Sequence, residues 1–457
     1  KATPVDAAVK QAAAQLKKAG SKGVVVTGLN DKNAQTIALA INKALQSEVL
    51  DTAVTNNIRK GNDADVAQVV ADIVSGKLAG LITYNVNPLY ALASAKEVKA
   101  GLKKLKLSVA LSVQNDETAT AMNYALPMSH YLESWGDVSM TAGSYSLTQP
   151  TIQPLFNSRQ LQDVLLKWSG SNTSYYDYLK AFWSTSILKG TSWNQALHDG
   201  VFTKKTANKL SAKVISVADA ASKLVKATKP SDFELNLFTS IALGDGQQAN
   251  NPWLQELPDP ITRAAWDNYI TMSFADARAL GFSNPIKDNG AIDGDYAKLS
   301  VNGVDIVAPV MIQPGQAKGS FGLALGYGRT QGLKDAMQVG VNAYSLYSNA
   351  NHIQTGVSIE KVSGTHQFAC TQVQKTLAGR HEILKQASLD QVVNAPVHDW
   401  NKPAMASLNH KEVVANSVDL WEAHNREVGH HFNLSIDLTS CTGCGACVVA
   451  CHAENNV

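Results

Sequence analysis

The sequence predicts an α/β protein in several parts: a parallel sheet covered by helices, then a β-rich, barrel-like unit, then a short cysteine-bearing segment. Three observations predict this. From "SKGVVVTGLND" onward, short apolar runs alternate with amphipathic helical segments, the pattern of a parallel sheet with helical crossovers. After "FELNLFTSIALGDG" the pattern changes to short strands divided by Gly, Asp, Asn and Pro turns. Four of the five cysteines fall between positions 441 and 451 of a 457-residue chain. A single hydrophobic core rarely grows past about 250 to 300 residues, so a chain of this length divides into domains.

Residues 1–170 read as the α/β domain. "GVVVTG" predicts a buried strand, and "KNAQTIALAINKAL" a helix with Ile37, Ile41 and Leu45 on one side at i, i+4 and i+8. "AGLITYNV" and "KLSVALSV" predict further strands, with the helical "LYALASAKEVKAGLKKL" between them. Gly28 after the first strand invites a dinucleotide reading, but "TGLNDKN" lacks the spaced glycines of that phosphate turn. Residues 171–235 read as a helical and loop connection, whose aromatic stretch "SYYDYLKAFW" and Trp193 suit packing at a domain junction.

Residues 236–380 read as the barrel-like domain, with strands in "AKLSVNGVDIVAPVMIQPG" and "GSFGLALGYG". Within it "DNGAIDGDY" loosely resembles a calcium loop, but the twelve-residue ligand spacing is not met, and a polar turn before a strand is expected instead. Cys370 reads as a buried small hydrophobe. Residues 381–430 read as a linker. His381, His410, His424 and His430 in it, and His431 just after it, have no partner at i+4 on a convincing helix and read as solvated or interface residues. Glu117, Glu133 and His130 fall at plausible loop ends, but no spacing pairs them, so a surface or packing role is expected.

Hydrophobic residues make up 45% of the chain and charged ones 17%, with a net charge of +2. That balance points to neither nucleic acid nor an anionic membrane surface as a partner. No apolar run approaches the roughly 20 residues of a spanning helix, so a soluble chain is expected, one still able to dock on a membrane subunit. The start at Lys1 without a Met, and the halt six residues after Cys451, suggest a segment of a larger polypeptide.

Residues 431–457 hold the motif with the most chemistry. Cys441, Cys444, Cys447 and Cys451 follow the spacing C-x2-C-x2-C-x3-C, the bacterial ferredoxin run. A soft iron cluster takes thiolates, and two-residue spacers converge them only if the backbone wraps tightly. Thr442, Gly443, Gly445 and Ala446 are small, and the glycines permit positive φ. A structural zinc site normally uses two separated pairs, a redox C-x-x-C needs neither the third nor the fourth cysteine, and disulfides inside so short a knot would be strained. In the two-cluster form of this run Cys451 ligates a different cluster from the first three, and the remaining ligands are expected beyond residue 457. His452 stands where the simple ferredoxin pattern has Pro.

The segment "FNLSIDLTSCTGCGACVVACHAENNV" resembles the opening of the multi-cluster electron-transfer subunits that accompany molybdopterin oxidoreductases. The body before it resembles the catalytic subunits of that superfamily: "LITYNVNPLYAL" their strand-to-loop N-P motif, and "DETATAMNYALPMSHYLESWGDVSMTAGSYSLTQPTIQP" their E-T-A helix, Leu-Pro turn and strand pair. "FADARALGFSN" with "GDYAKLSVNGVDIVAPVMIQPGQAKGSFGLALGYGRT" resembles their C-terminal barrel, and "NPWLQELPDPITRAAWDN" their polysulfide-reductase branch. Both parts on one chain resemble the large iron–sulfur subunits of alternative complex III, the bacterial quinol:cytochrome c oxidoreductases.

That resemblance implies iron–sulfur clusters of 4Fe–4S and 3Fe–4S type, a molybdopterin-like domain that has lost its cofactor and serves as scaffold, and no catalytic residue in this segment. It implies multihaem and monohaem cytochrome c subunits and integral-membrane quinol-binding subunits as partners, on the periplasmic side of the inner membrane. The rival expectation is a catalytic molybdopterin reductase of sulfur compounds fused to its own ferredoxin module.

Overall fold

The computed structural model describes residues 5–51, 56, 58, 61–204, 216–227, 231–288, 290–348, 351–370, 379, 385–418, 425, 427–441 and 445–455. Its first unit is mixed α/β around a parallel sheet of β1 (Gly80–Tyr84), β2 (Leu107–Ser112) and β3 (Tyr124–Pro127). β2 lies in the middle, with Ile82 beside Val109 and Val109 beside Tyr124. Helices Asp63–Ser75 and Ala95–Leu102 cover one face, where Ile73, Val98, Leu102, Ala110 and Met122 form a buried cluster. The two helices approach closely at Gly101, where a Cβ would lie 2.7 Å from the Ile73 carbonyl oxygen. Only glycine fits there without displacing backbone.

The "GVVVTG" expectation is corrected. Residues 23–30 pair with no strand among the described residues, and Val26 is 84% exposed. The side-chain amide of Asn42 takes the place of a neighbouring strand: its Oδ1 accepts from the Val25 N–H at 2.7 Å and its Nδ2 donates to the Val25 carbonyl at 2.8 Å. The buried stripe of helix Lys32–Ala44 is Ala34, Ala38 and Asn42, and Ile41 faces solvent. Small residues take the inward positions because helix Val217–Ala227 packs against this helix.

A second, antiparallel sheet joins β4 (Gly136–Val138), β5 (Ser144–Thr148) and β6 (Val201–Thr203). Tyr175, Leu179, Trp183 and Trp193 form a packed cluster beside it, and Trp183 Nε1 donates to Asp137 at 2.8 Å.

The second unit contains β7 (Glu234–Thr239), β8 (Ala264–Ala265), β9 (Ile270–Met272), β10 (Ile292–Val301), β11 (Val304–Ile312), β12 (Ser320–Leu325), β13 (Ile353–Gln354) and β14 (Val357–Cys370). They form one mixed ladder in the order β13-β7-β12-β9-β11-β10-β14-β8. The expected barrel meets a ladder whose end strands, β13 and β8, do not pair with each other among the described residues. β10 and β11 are joined at Asn302 and Gly303, both with positive φ, the tight hairpin turn whose twist suits antiparallel strands. The core lies on this sheet, around Leu235, Ile270, Leu299, Val310, Phe321 and Leu323.

Two of the acidic residues in "DNGAIDGDY" are paired with lysines. Asp293 lies 3.1 Å from Lys287 and Asp295 lies 2.7 Å from Lys361. Cys370 closes β14 opposite Ala264, packed at the edge of a cluster with Tyr269, Met311 and Phe368. A hairpin of β15 (Met405–Leu408) and β16 (Lys411–Val414) precedes the cysteine segment. Among the described residues no helix is long and apolar enough to cross a membrane.

Asn42 is 5% exposed, so Asn42→Ala leaves the Val25 peptide groups without their partners. A loss of about 1–3 kcal/mol is expected for such groups. Chemical denaturation of the variant beside the parent checks it.

Candidate functional site

The carboxyl ends of parallel strands are where α/β sheets place ligands, because strand-to-helix loops diverge there. In this chain those ends open into a polar cleft of about 700 Å³. Asn85 and Asn87 follow β1, Gln114 follows β2 and His130 follows β3. Gln247, Asn250 and Arg329 of the second unit close the other side. Gln114 bridges the two sides, donating to the Gln247 carbonyl at 3.0 Å and to Asn250 at 3.2 Å.

The floor of the junction is an ion pair. Arg329 Nε lies 2.9 Å from Glu117 Oε2, with side-chain exposures of 4% and 13%. Glu117 also accepts from the N–H of Thr330 at 2.7 Å, the N–H of Gln331 at 3.1 Å and the Asn87 amide at 2.6 Å. Burial opposes ionisation of Glu117, but the Thr330 N–H, the Asn87 amide and the Arg329 charge outweigh it and hold the carboxyl below its ordinary value.

Beside the pair, Tyr90 reaches from the first unit into the second. Its hydroxyl donates to the Tyr327 carbonyl at 2.8 Å, and the Arg329 guanidinium sits 5.1 Å from its ring centroid. Burial pushes the Tyr90 hydroxyl far above its usual range.

Glu117 thus has a structural partner that local spacing could not reveal, since 212 residues separate it from Arg329. Glu133 and His130 do meet, as a cap on the short helical turn Tyr131–Glu133: the His130 N–H donates to Glu133 Oε2 at 2.8 Å. The Leu155 N–H, then the His130 N–H, hold Glu133 below its ordinary value. Gly28 lies in open space, and the helix after it begins at Asp31, whose carboxylate accepts from the N–H groups of Asn33 and Ala34. A carboxylate there occupies the position a phosphate would need.

Of the cysteines, Cys441, Cys447 and Cys451 are exposed. Cys447 and Cys451 share helix Ala446–Asn455 at i and i+4, one face of the helix. The Cys441 N–H donates to the Asp437 carbonyl at 2.9 Å, just before the loop. Cys444, like His381 and His424, lies outside the described residues. Among the described residues no group of three or more His, Cys, Asp or Glu side chains is placed to hold a metal ion.

Residues 2–167 match the molybdopterin oxidoreductase family. The matched stretch includes the parallel sheet, Glu117 and the strand ends that open into the cleft. A curated relative, the "Menaquinone reductase, molybdopterin-binding-like subunit" of Nitratidesulfovibrio vulgaris, is 24% identical over 316 residues, covering 66% of this chain and 44% of the relative. This chain therefore spans less than half the length of that relative. Acetylene hydratase from Pelobacter acetylenicus, a solved structure, aligns at a TM-score of 0.43 and 14% identity over 65% of this chain and 46% of that one.

The molybdopterin oxidoreductase-like domain raises the question of a pterin dinucleotide. The described lining of the cleft includes the carboxylates of Asp116 and Asp137 and a single guanidinium, Arg329. Every nitrogen of Arg329 already donates: Nε to Glu117, Nη1 to the Gly246 carbonyl at 2.6 Å and Nη2 to the Gln331 carbonyl at 3.2 Å. Amides dominate the rest. Arg329 therefore has no nitrogen left for a pyrophosphate, which is commonly held by uncommitted cations or N–H groups.

Arg329→Ala strands the Glu117 carboxylate and is expected to cost about 3–5 kcal/mol, as for one partner of a buried pair. Because the Glu117 pKa is lowered by folding, its contribution is complete above its ordinary value, about 4.3, and is lost as pH falls through the lower folded value. Glu117→Gln is therefore expected to remove one step from the acid limb of a stability-against-pH curve, measured by denaturant titration.

Proposed function

We propose that this chain is an electron-transfer iron–sulfur subunit of a quinol-linked respiratory complex of the alternative complex III type, with its molybdopterin oxidoreductase-like body acting as a scaffold without pterin. The observation that carries the proposal is the run Cys441, Cys444, Cys447 and Cys451 placed after that body. All four are proposed as cluster ligands, Cys451 to a different cluster from the others. Iron–sulfur clusters, when bound, supply one-electron transfer on thiolate-held iron. The chain's own residues provide the soft donors, and the small residues of the spacers let amides approach the sulfur.

Support for a quinone-linked, multi-subunit setting comes from the relative named as a menaquinone reductase subunit. Support for a pterin-free body comes from the engaged donors of Arg329 and the carboxylates in the cleft. The proposed partners are cytochrome c subunits, which receive the electrons, and membrane subunits that bind quinol on the periplasmic side. The β-rich unit is proposed as the counterpart of the family's C-terminal barrel, and residues 431–457 as the start of a ferredoxin-type domain.

Metal and sulfide analysis of the complete subunit tests this. Iron and acid-labile sulfide without molybdenum are expected; stoichiometric molybdenum would overturn the scaffold role in favour of a molybdenum reductase. Cys444→Ser is expected to remove one cluster signal from the electron paramagnetic resonance spectrum. Survival of every signal would show that the ligands lie elsewhere.

A further inference from the structure

The cysteine helix is seated on the second unit. Helix Ala446–Asn455 packs against the short helix Pro252–Glu256, and His452 Nδ1 lies 3.7 Å from Glu256 Oε2. Gly445, Val449, His452 and Ala453 are its less exposed residues. Their spacing of i, i+4, i+7 and i+8 makes one stripe, while Cys447 and Cys451 lie off it and face solvent.

At the head of the stripe Gly445 has φ +72°, and a Cβ there would stand 2.5 Å from Cδ1 of Leu257. Leu257 is itself 8% exposed. The leucine therefore fills the space that any other residue at 445 would need. Gly445 belongs to the two-residue spacer between Cys444 and Cys447, so the residue that Leu257 touches lies between two of the proposed ligands.

We infer that Pro252–Leu257 is the seat of the cysteine run and that Leu257 is a positioning residue for it. Leu257 keeps the left-handed turn at Gly445 in place and keeps water off its inner side, while the thiols of Cys447 and Cys451 are presented outward. This rests on the ligand role proposed for the cysteines. It extends that role by making the second unit part of the cluster environment, where solvent exposure and amide direction set the potential.

The test is a double-mutant cycle on the complete subunit, read as cluster midpoints in a redox titration followed by electron paramagnetic resonance. Leu257→Ala opens the space, Gly445→Ala puts a methyl group into it, and the double variant has room again. Leu257→Ala is expected to shift one midpoint to more positive potential, because water favours the more negatively charged reduced form. Leu257→Val should shift it less in the same direction, and Leu257→Met should leave it in place. The double variant should shift less than the sum of the two singles.

Additive shifts, or a midpoint indifferent to residue 257 in both the Ala and Val variants, would overturn the seat. Parent protein without iron would instead overturn the ligand role of the cysteines.

Discussion

Glu117 and Arg329 face each other across the junction of the two units, and hydrogen bonds from both units converge on them. A carboxylate that is 13% exposed and a guanidinium that is 4% exposed have both left water, and neither tolerates that without partners. The chain supplies partners from several elements. Two backbone N–H groups, at Thr330 and Gln331, and the Asn87 side chain converge on the carboxylate, while Gly246 and Gln331 accept from the guanidinium. Because these donors and acceptors come from both units, the pair fixes how the parallel sheet sits against the larger sheet. The cleft at the strand ends is the space left between them.

The same commitment takes the guanidinium at the edge of the cleft out of reach of a ligand. Its one described guanidinium is already bound on every nitrogen, and its remaining lining mixes amides, hydroxyls and carboxylates with His130, Trp135 and a few aliphatic residues.

The legible parts of the sequence were those with strong local signals. β1 and β2 were readable as short apolar runs, and Gly28 could be set aside as a phosphate turn because glycines were missing beside it. The run of cysteines was visible as a spacing, although the structure describes only three of its four members. Illegible were features set by distant partners. "GVVVTG" has the composition of a strand, but a side-chain amide from the following helix occupies its pairing edge at Val25. The inward stripe of that helix is carried by Ala34 and Ala38 in place of its larger aliphatics, since a second helix lies against it. Glu117 appeared unpaired because its cation is encoded 212 residues later, and Gly445 gave no sign that its missing side chain is filled by Leu257.

Tyr90 adds a consequence in time. Its hydroxyl bonds a carbonyl 237 residues further along, so during synthesis the first unit emerges well before its counterpart exists. At translation rates of about 5 to 20 residues per second, that interval is on the order of 10 to 50 s. For that time a large aromatic ring and a carboxylate destined for burial stand in water at an unfinished edge. The nascent first unit thus carries these groups without their partners until Gly326–Gln331 is made.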